Sequence, residues 1–407
     1  MIVRDTDAGT KALALSDDLH GEPLEIQMGP SHPATHGTVR ISLKLDGERI
    51  VDADIQVGYL HRGYEKECES GEWHQAVPYA DRLNYASPMI NNVGYCLAAE
   101  KLFGVTVPPR GQYIRTIACE ISRLSDHFTC IGASAMELAA MTPFLYGMQA
   151  REHMWDLHES LCGARVTTNY VRIGGLQSDL QPGFVDLCQE KLKAALAIFA
   201  DVDRLLTQNP IFRERMEGTG RLPASDLIAY GVTGPLLRAA GVGHDLRKAE
   251  PYLVYDQVDF DVPVGTSGDN YDRYLVRVEE VRQSARIIEQ CLRDLPDGPV
   301  DVDDPRFRWP AKGKVFNRME ELIDQFKLVT EGMRPPAGEV YQAVEGANGE
   351  LGFYLVSNGT GKPWKCRCRA PSFSNTHAMR DMVRGALLAD IVPTFDMINM
   401  IGGECDR

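Results

Sequence analysis

Apolar and polar residues alternate with period two through residues 23–60, in the runs LEIQMG, TVRISLKLDGERI and DADIQVGYL. Alternation of this kind gives a strand one core face and one solvent face, and the Asp46-Gly47 pair supplies a hairpin turn. A small antiparallel sheet is predicted there, preceded by a tail at residues 1–22. The period then lengthens. YADRLNYASPMINNVGYCLAAEKLFG reads as a helix that closes on Gly104, ahead of Pro108-Pro109. In the next segment Ile114, Ile117, Ile121, Leu124 and Phe128 recur every three or four residues, the helical period. Pro143 marks the start of a further helix through Cys162. GFVDLCQEKLKAALAIFADVDRLLTQ and NYDRYLVRVEEVRQSARIIEQCLRDL read as long amphipathic helices with charged outer faces. Residues 209–266, rich in Gly and Pro, form an irregular lobe between them.

After Pro299 one helix, VFNRMEELIDQFKLVTEG, precedes the runs GEVYQAVEG, ELGFYLVSNG and PWKCRCRAPSF. These predict a three-strand meander, followed by a last helix around 376–390. The fold class is α+β and mainly helical, with a central bundle, an N-terminal antiparallel sheet and a C-terminal α+β part. The divisions expected are a tail at 1–22, a β-rich domain at 23–65, a helical core at 66–300 with its lobe at 209–266, and an α+β part at 301–407.

Composition narrows the function. A chain of 407 residues with 44% hydrophobic positions can bury a sizeable core. A net charge of −14 argues against nucleic acid as the main partner. No apolar run reaches membrane-spanning length; the nearest, Ile131 to Met148, is broken by Glu137 and Pro143. Residues 1–20 lack the apolar stretch of a signal peptide. Ten scattered cysteines then point to free thiols in a reducing, cytoplasmic setting.

The densest polar cluster is Ser31-His32-Pro33-Ala34-Thr35-His36-Gly37. Its two histidines have the spacing of a helical zinc pair, but Pro33 and Gly37 oppose a helix, so a tight loop is expected. Such a loop either presents a reactive group or is a turn capped by one histidine. Tyr59 to Lys66 and Asp81-Arg82-Leu83-Asn84-Tyr85 read, on their own, as a solvated helix start and an ordinary helical turn. Glu137 stands alone among Ala, Met and Leu. A carboxylate buried there must be paired or neutral, unless it reaches solvent from a helix end. Cys366-Arg367-Cys368 fits an amphipathic strand with both thiols inward better than a metal site.

Taken together, MGPSHPATHG, IQVGYLHRGYEK, DRLNY, PPRGQYIRTIACEISRLSDH, GARVTTNYVRIGG, FDVPVG, DRYLVRVEEVRQS, GEVY, RAPSF and the ending ECDR resemble one family in order and spacing. It is the 49 kDa, quinone-site subunit family (the D subunits) of proton-pumping NADH:quinone oxidoreductase, respiratory complex I. The likeness runs from about residue 24 to 407. It implies a fold similar to nickel–iron hydrogenase large subunits, whose two Cys-x-x-Cys pairs hold the metal. Here those positions are Asn84 and Ser87, after Arg82, and the neighbourhood of Ile401 and Glu404. Without a thiolate set no nickel site can be built, and the resemblance implies a quinone-head pocket in its place.

The resemblance further implies that His36 and Tyr85 flank the quinone head and deliver protons to it, and that an acid, here Glu137 where an aspartate is common, partners His36. Glu137 would favour the imidazolium of His36 and be left unpaired when that proton leaves. Arg62 and Arg82 would lie close to a 4Fe–4S cluster held by a neighbouring subunit and favour its reduced form. The chain itself would bind no metal. Where many members carry a histidine beside that cluster, this sequence has Thr167, which cannot titrate near neutrality. Expected partners are the complex I subunits termed B (cluster-bearing), C and H (in the membrane), on the cytoplasmic side of the bacterial inner membrane. An alternative is the same kind of subunit in a complex fed by ferredoxin or a reduced deazaflavin.

Overall fold

The computed structural model describes residues 23–35 and 37–407. The predicted N-terminal sheet is present: β1 (Leu24–Met28), β2 (Arg40–Asp46) and β3 (Arg49–Gln56) pair antiparallel in that order. Gly47 turns the β2–β3 hairpin with φ 59°. The alternation puts Ile41, Leu43 and Leu45 into one core with Ile50 and Ala53. The tail expected at residues 1–22 lies outside the described residues.

The short helices α1 (Tyr64–Ser70) and α2 (Val77–Ala80) precede α3 (Pro88–Phe103), α4 (Pro109–Glu137), α5 (Met141–Cys162) and α6 (Phe184–Leu206). The helix expected from Tyr79 starts only at Pro88. Proline at the first helical position pushes Ser87 out of the helical region, to φ −129° and ψ 60°, so residues 81–87 form a series of turns. A two-residue ladder, β4 (Val171–Arg172) with β5 (Gly175–Leu176), is too short to show in the hydrophobic period.

Four short helices punctuate the lobe: α7 (Pro210–Met216), α8 (Ala224–Ala229), α9 (Pro235–Ala239) and α10 (Leu246–Ala249). Then comes α11 (Asn270–Arg293). Its face is not simply charged-outward as expected, because Arg273, Arg277 and Glu280 are buried. After α12 (Lys312–Asn317) and α13 (Met319–Thr330), the meander β6 (Gly338–Gly346), β7 (Gly349–Ser357) and β8 (Lys365–Arg369) pairs antiparallel as predicted. Cys366 and Cys368 point inward from β8 and Arg367 outward. The single last helix expected around 376–390 is instead three: α14 (Pro371–Val383), α15 (Ile391–Ile398) and α16 (Gly402–Asp406). Pro371 starts α14 early, and Gly385 at φ 79° breaks the chain after it.

α4 is the axis of the molecule, with α3, α5, α11 and α15 packed around it. That enclosure buries Arg115, Glu120, Arg123, Asp126 and His127 along with its apolar stripe. A second core joins the N-terminal sheet to α14, α15 and the lobe residues Leu227 and Leu236. Among the described residues no helix is long and apolar enough to cross a membrane.

Candidate functional site

The turns ahead of α3 are pinned from both sides of Tyr85. Asn84 Nδ2 and Ser87 Oγ both donate to Asp126 Oδ2 on α4, at 2.7 and 2.9 Å. Asn399, which ends α15 at φ 53°, donates to the other oxygen at 2.7 Å. The Asn84 side chain also accepts from the Ala86 amide at 3.1 Å, which tightens the turn around residue 85. With its neighbours tied inward, Tyr85 faces out and keeps 43% of its surface open. Partial burial, and then the negative Asp126, push its phenol above the ordinary value, while Arg82 opposes them.

The C-terminus closes one side. Asp406 accepts from the amides of Gly58 and Leu60 at 2.9 and 2.7 Å. Its backbone carbonyl lies 2.7 Å from His61 Nδ1. Arg62 donates to the carbonyl of Arg82 at 2.7 Å and reaches that of Gly403 at 3.4 Å. Gly403 passes so close that a Cβ there would lie 2.2 Å from the Arg82 carbonyl oxygen. The two arginines named from sequence are thus brought together, and burial and the charge of Arg82 lower the pKa of Arg62.

Beside this corner Ser372 donates to Glu404, and the Ile401 amide donates to the Ser372 hydroxyl at 3.3 Å. Burial, with the charge of Asp126 adding to it, raises the Glu404 carboxyl to about 7. The four positions singled out for missing thiolates therefore gather around two polar anchors, Asp126 and Ser372. Among the described residues no group of three or more His, Cys, Asp or Glu is arranged to hold a metal ion.

Glu137, the last residue of α4, is half-buried, and no hydrogen bond or ion pair joins it to a described residue. Its expected partner His36 lies outside the described residues. The loop before it makes a short turn at Pro33–Thr35, in which His32 is exposed and accepts from the Ala34 amide at 3.2 Å. For His32 the modest reading, a capping histidine, holds. Thr167 is exposed on the loop after α5.

Sequence reasoning gives no role to three acids. Asp126 hides one residue before His127 in a run whose apolar period alone is legible. Asp81 directly precedes Arg82 and accepts from the Asn169 amide at 3.0 Å, and burial raises its carboxyl to about 7. Asp396 on α15 interrupts the apolar run IVPTFDMI, a signal of the same kind that draws attention to Glu137.

The family model described as "Respiratory-chain NADH dehydrogenase, 49 Kd subunit" matches residues 137–407. The first NADH-quinone oxidoreductase D subunit of Sorangium cellulosum is 52% identical over 391 residues, covering 96% of this chain and 97% of that protein. The D subunit of Myxococcus xanthus is 51% identical over 403 residues, 99% of this chain and 97% of its own. A Bdellovibrio bacteriovorus protein named as a C/D subunit is 46% identical over 391 residues, 96% of this chain and 70% of that longer protein.

Proposed function

Since the chain belongs to the 49 Kd subunit family of respiratory-chain NADH dehydrogenase and so forms part of an NADH:quinone oxidoreductase, we propose that its open corner around Tyr85 is the quinone-head pocket. Quinone reduction to quinol adds two electrons and two protons, so both ring oxygens need donors as charge develops on them. Tyr85 supplies one donor. Its raised phenol pKa keeps the proton in place until a strongly basic reduced oxygen takes it. His36 supplies the other, with Glu137 as the acid that favours its imidazolium. Loss of that proton leaves Glu137 uncompensated, and this charge starts the rearrangement passed to the membrane arm.

The observation that carries the reading is the conversion of the corner. Asn84 and Ser87 are spent on Asp126, which fixes the turn and leaves a phenol half-open rather than a metal site. A corner refitted in this way is what a relationship to nickel–iron hydrogenase large subunits would leave. A 4Fe–4S cluster held by a docked neighbouring subunit would supply the electrons. Arg62 and Arg82, held together at the rim, set a positive potential toward it.

The half-open phenol fits a pocket that a neighbour completes. The cluster-bearing B subunit would close it, and the H subunit would carry the signal through the membrane. The C subunit is favoured as a direct neighbour by the relative whose name joins C and D. An apolar face of α13, with Met319, Leu322, Phe326 and Val329 exposed, suits a member of an assembly. The chain would sit peripherally on the cytoplasmic side of the inner membrane. The relatives' names favour NADH over ferredoxin or a reduced deazaflavin as the donor.

The test is photo-crosslinking of an azido-quinone in the assembled complex, with the label mapped by peptide sequencing. Labelling of the 31–37 loop or the 81–87 turns is expected. Labelling confined to other segments overturns the pocket assignment.

A further inference from the structure

The two walls of the open corner come from distant parts of the chain, and one carboxylate joins them. One wall is the 81–87 turns, which carry Tyr85. The other is the C-terminal segment after α15, whose Gly403 carbonyl meets Arg62. Between them lies Asp126 on α4, 1% exposed. Its Oδ2 accepts from Asn84 and Ser87, and its Oδ1 accepts from Asn399.

These donors have little freedom to rearrange. The Asn399 amide nitrogen gives its second hydrogen to Asn348 Oδ1 in the β6–β7 turn, and the Asn348 amide donates back to the Asn399 carbonyl at 3.0 Å. A flip of the Asn399 amide would set oxygen against oxygen at Asn348. Asn84 is held likewise. Its Oδ1 accepts from the Ala86 amide, the peptide nitrogen directly after Tyr85. The site between the walls therefore needs acceptor oxygens on both of its sides at once, which a carboxylate supplies and an amide does not.

Tyr85 itself makes no hydrogen bond to a described residue. Its direction is set through the backbone on either side of it, and Asn84 and Ser87 tie that backbone to Asp126. The same carboxylate also acts on the phenol through space, second to burial.

We propose that Asp126 is a positioning residue for quinone reduction: by holding the Tyr85 turn on one oxygen and the C-terminal segment on the other, it keeps the Tyr85 hydroxyl in the orientation from which it donates to the quinone. This rests on the quinone-pocket reading and deepens it. Asp126 touches no substrate. A ring oxygen that gains charge needs its donor already in place, so a slackened turn costs turnover more than binding.

The test uses the assembled complex. Asp126→Asn keeps the shape but offers one acceptor oxygen where two are needed. Its kcat for quinone reduction should fall on the order of tenfold, with KM for quinone changed by less than about twofold. Asn84→Asp alone sets two carboxylates against each other and should lose activity as well. The paired variant, Asn84→Asp with Asp126→Asn, exchanges donor and acceptor. The contact re-forms in reverse, and kcat should return to within about threefold of the wild type, a rescue that loss of packing would not show. Because Asp126 acts through Tyr85, Asp126→Asn should cost nothing further in a Tyr85→Phe background. An equal loss in both backgrounds overturns the proposal, and so does a paired variant that assembles yet stays as slow as Asp126→Asn. If Asp126→Asn keeps wild-type kcat while Tyr85→Phe loses it, Asp126 does not position the phenol and the pocket stands. If Tyr85→Phe keeps wild-type kcat, the pocket reading itself fails. Should Asp126→Asn fail to assemble on a native gel, the paired variant decides; if neither assembles, Asp126 is an anchor of the fold alone and the proposal falls.

Discussion

Two groups of buried charge lie along the same helix, and they are built on opposite principles. On the α11 side of α4 every acid meets a guanidinium. Arg238 bonds Glu280 and Glu345, each at 2.7 Å. Arg247 bonds Asp245 at 2.7 Å, and Arg123 and Arg247 both approach Glu120. Burial works to raise Glu120, Glu280 and Asp245, yet the arginines hold all three below the usual carboxylate range. Within this group Glu345 alone is left raised by burial. Toward the open corner the acids lack such partners. Asp81 and Glu404 are raised to about 7, and Asp396 is raised as well. Matched charges fix a geometry, whereas burial without a matching cation favours the protonated acid, and groups perturbed in this way are found more often at working sites.

The comparison breaks first at its matched end. Arg238→Met leaves Glu280 and Glu345 buried without their cation. It should destabilise the chain by about 3–5 kcal/mol. Thermal denaturation, or loss of the assembled complex on a native gel, reads this out. A variant that assembles and melts like the wild type removes the network from its structural role.

At the unmatched end the effect should appear in turnover. Tyr85→Phe and Glu137→Gln each remove a group to which the proposed reading gives proton handling, and leave packing nearly intact. Quinone reductase activity should fall about 100-fold, with stability within roughly 1 kcal/mol of the wild type. If the fold is lost before the activity, the two regions are not separable in this way.

The acids also predict opposite pH behaviour. Asp81 and Glu404 have folded pKa values raised above 3.8 and 4.5 to about 7. Between those limits the folded chain binds more protons than the unfolded one, so their contribution is fully present below pH 4 and is lost as pH rises through 7. Asp81→Asn and Glu404→Gln should each stabilise the protein at pH 8 by about 1–3 kcal/mol and leave it nearly unchanged at pH 4. A chain whose melting temperature is flat from pH 5 to 8, with no response to either variant, contradicts the burial of unpaired acids.

How much of this is legible in the sequence follows the reach of local signals. The N-terminal hairpin and the meander at 338–369 are readable because alternation and turn residues act within a few positions. So is the inward face of Cys366 and Cys368. The start of α3 is lost when helical period is extended through a segment that Pro88 ends, although the proline itself carries the signal. The helix expected at 376–390 fails similarly at Gly385. Of the residues named from sequence, Arg62 reaches the Arg82 carbonyl and Tyr85 stands open, positions that no local signal announces. Asp126 and Asp396 are invisible because their burial depends on which helices enclose α4, and that is decided by contacts hundreds of positions apart. An acid in an apolar run is equally a sign at residue 137 and at residue 396, but only the longer run makes it conspicuous.

The smallest expected effect lies at the rim, where the two principles meet. Thr167 is exposed and carries no group that titrates near neutrality, so it cannot tie the potential of the proposed neighbouring cluster to pH. Asp81 can do so weakly. It stands beside Arg82, accepts from Asn169 two residues beyond Thr167, and titrates at about 7. Its charge is part of the field that Arg82 presents, so its ionisation lowers the potential as pH rises. A redox titration of the cluster in the intact complex should therefore give a slope well below the full value of about 59 mV per pH unit for one proton per electron. What slope remains should centre near pH 7 and disappear in Asp81→Asn. A full slope that survives this substitution would mean that another group carries the coupling, and that the unmatched acids serve the quinone side alone.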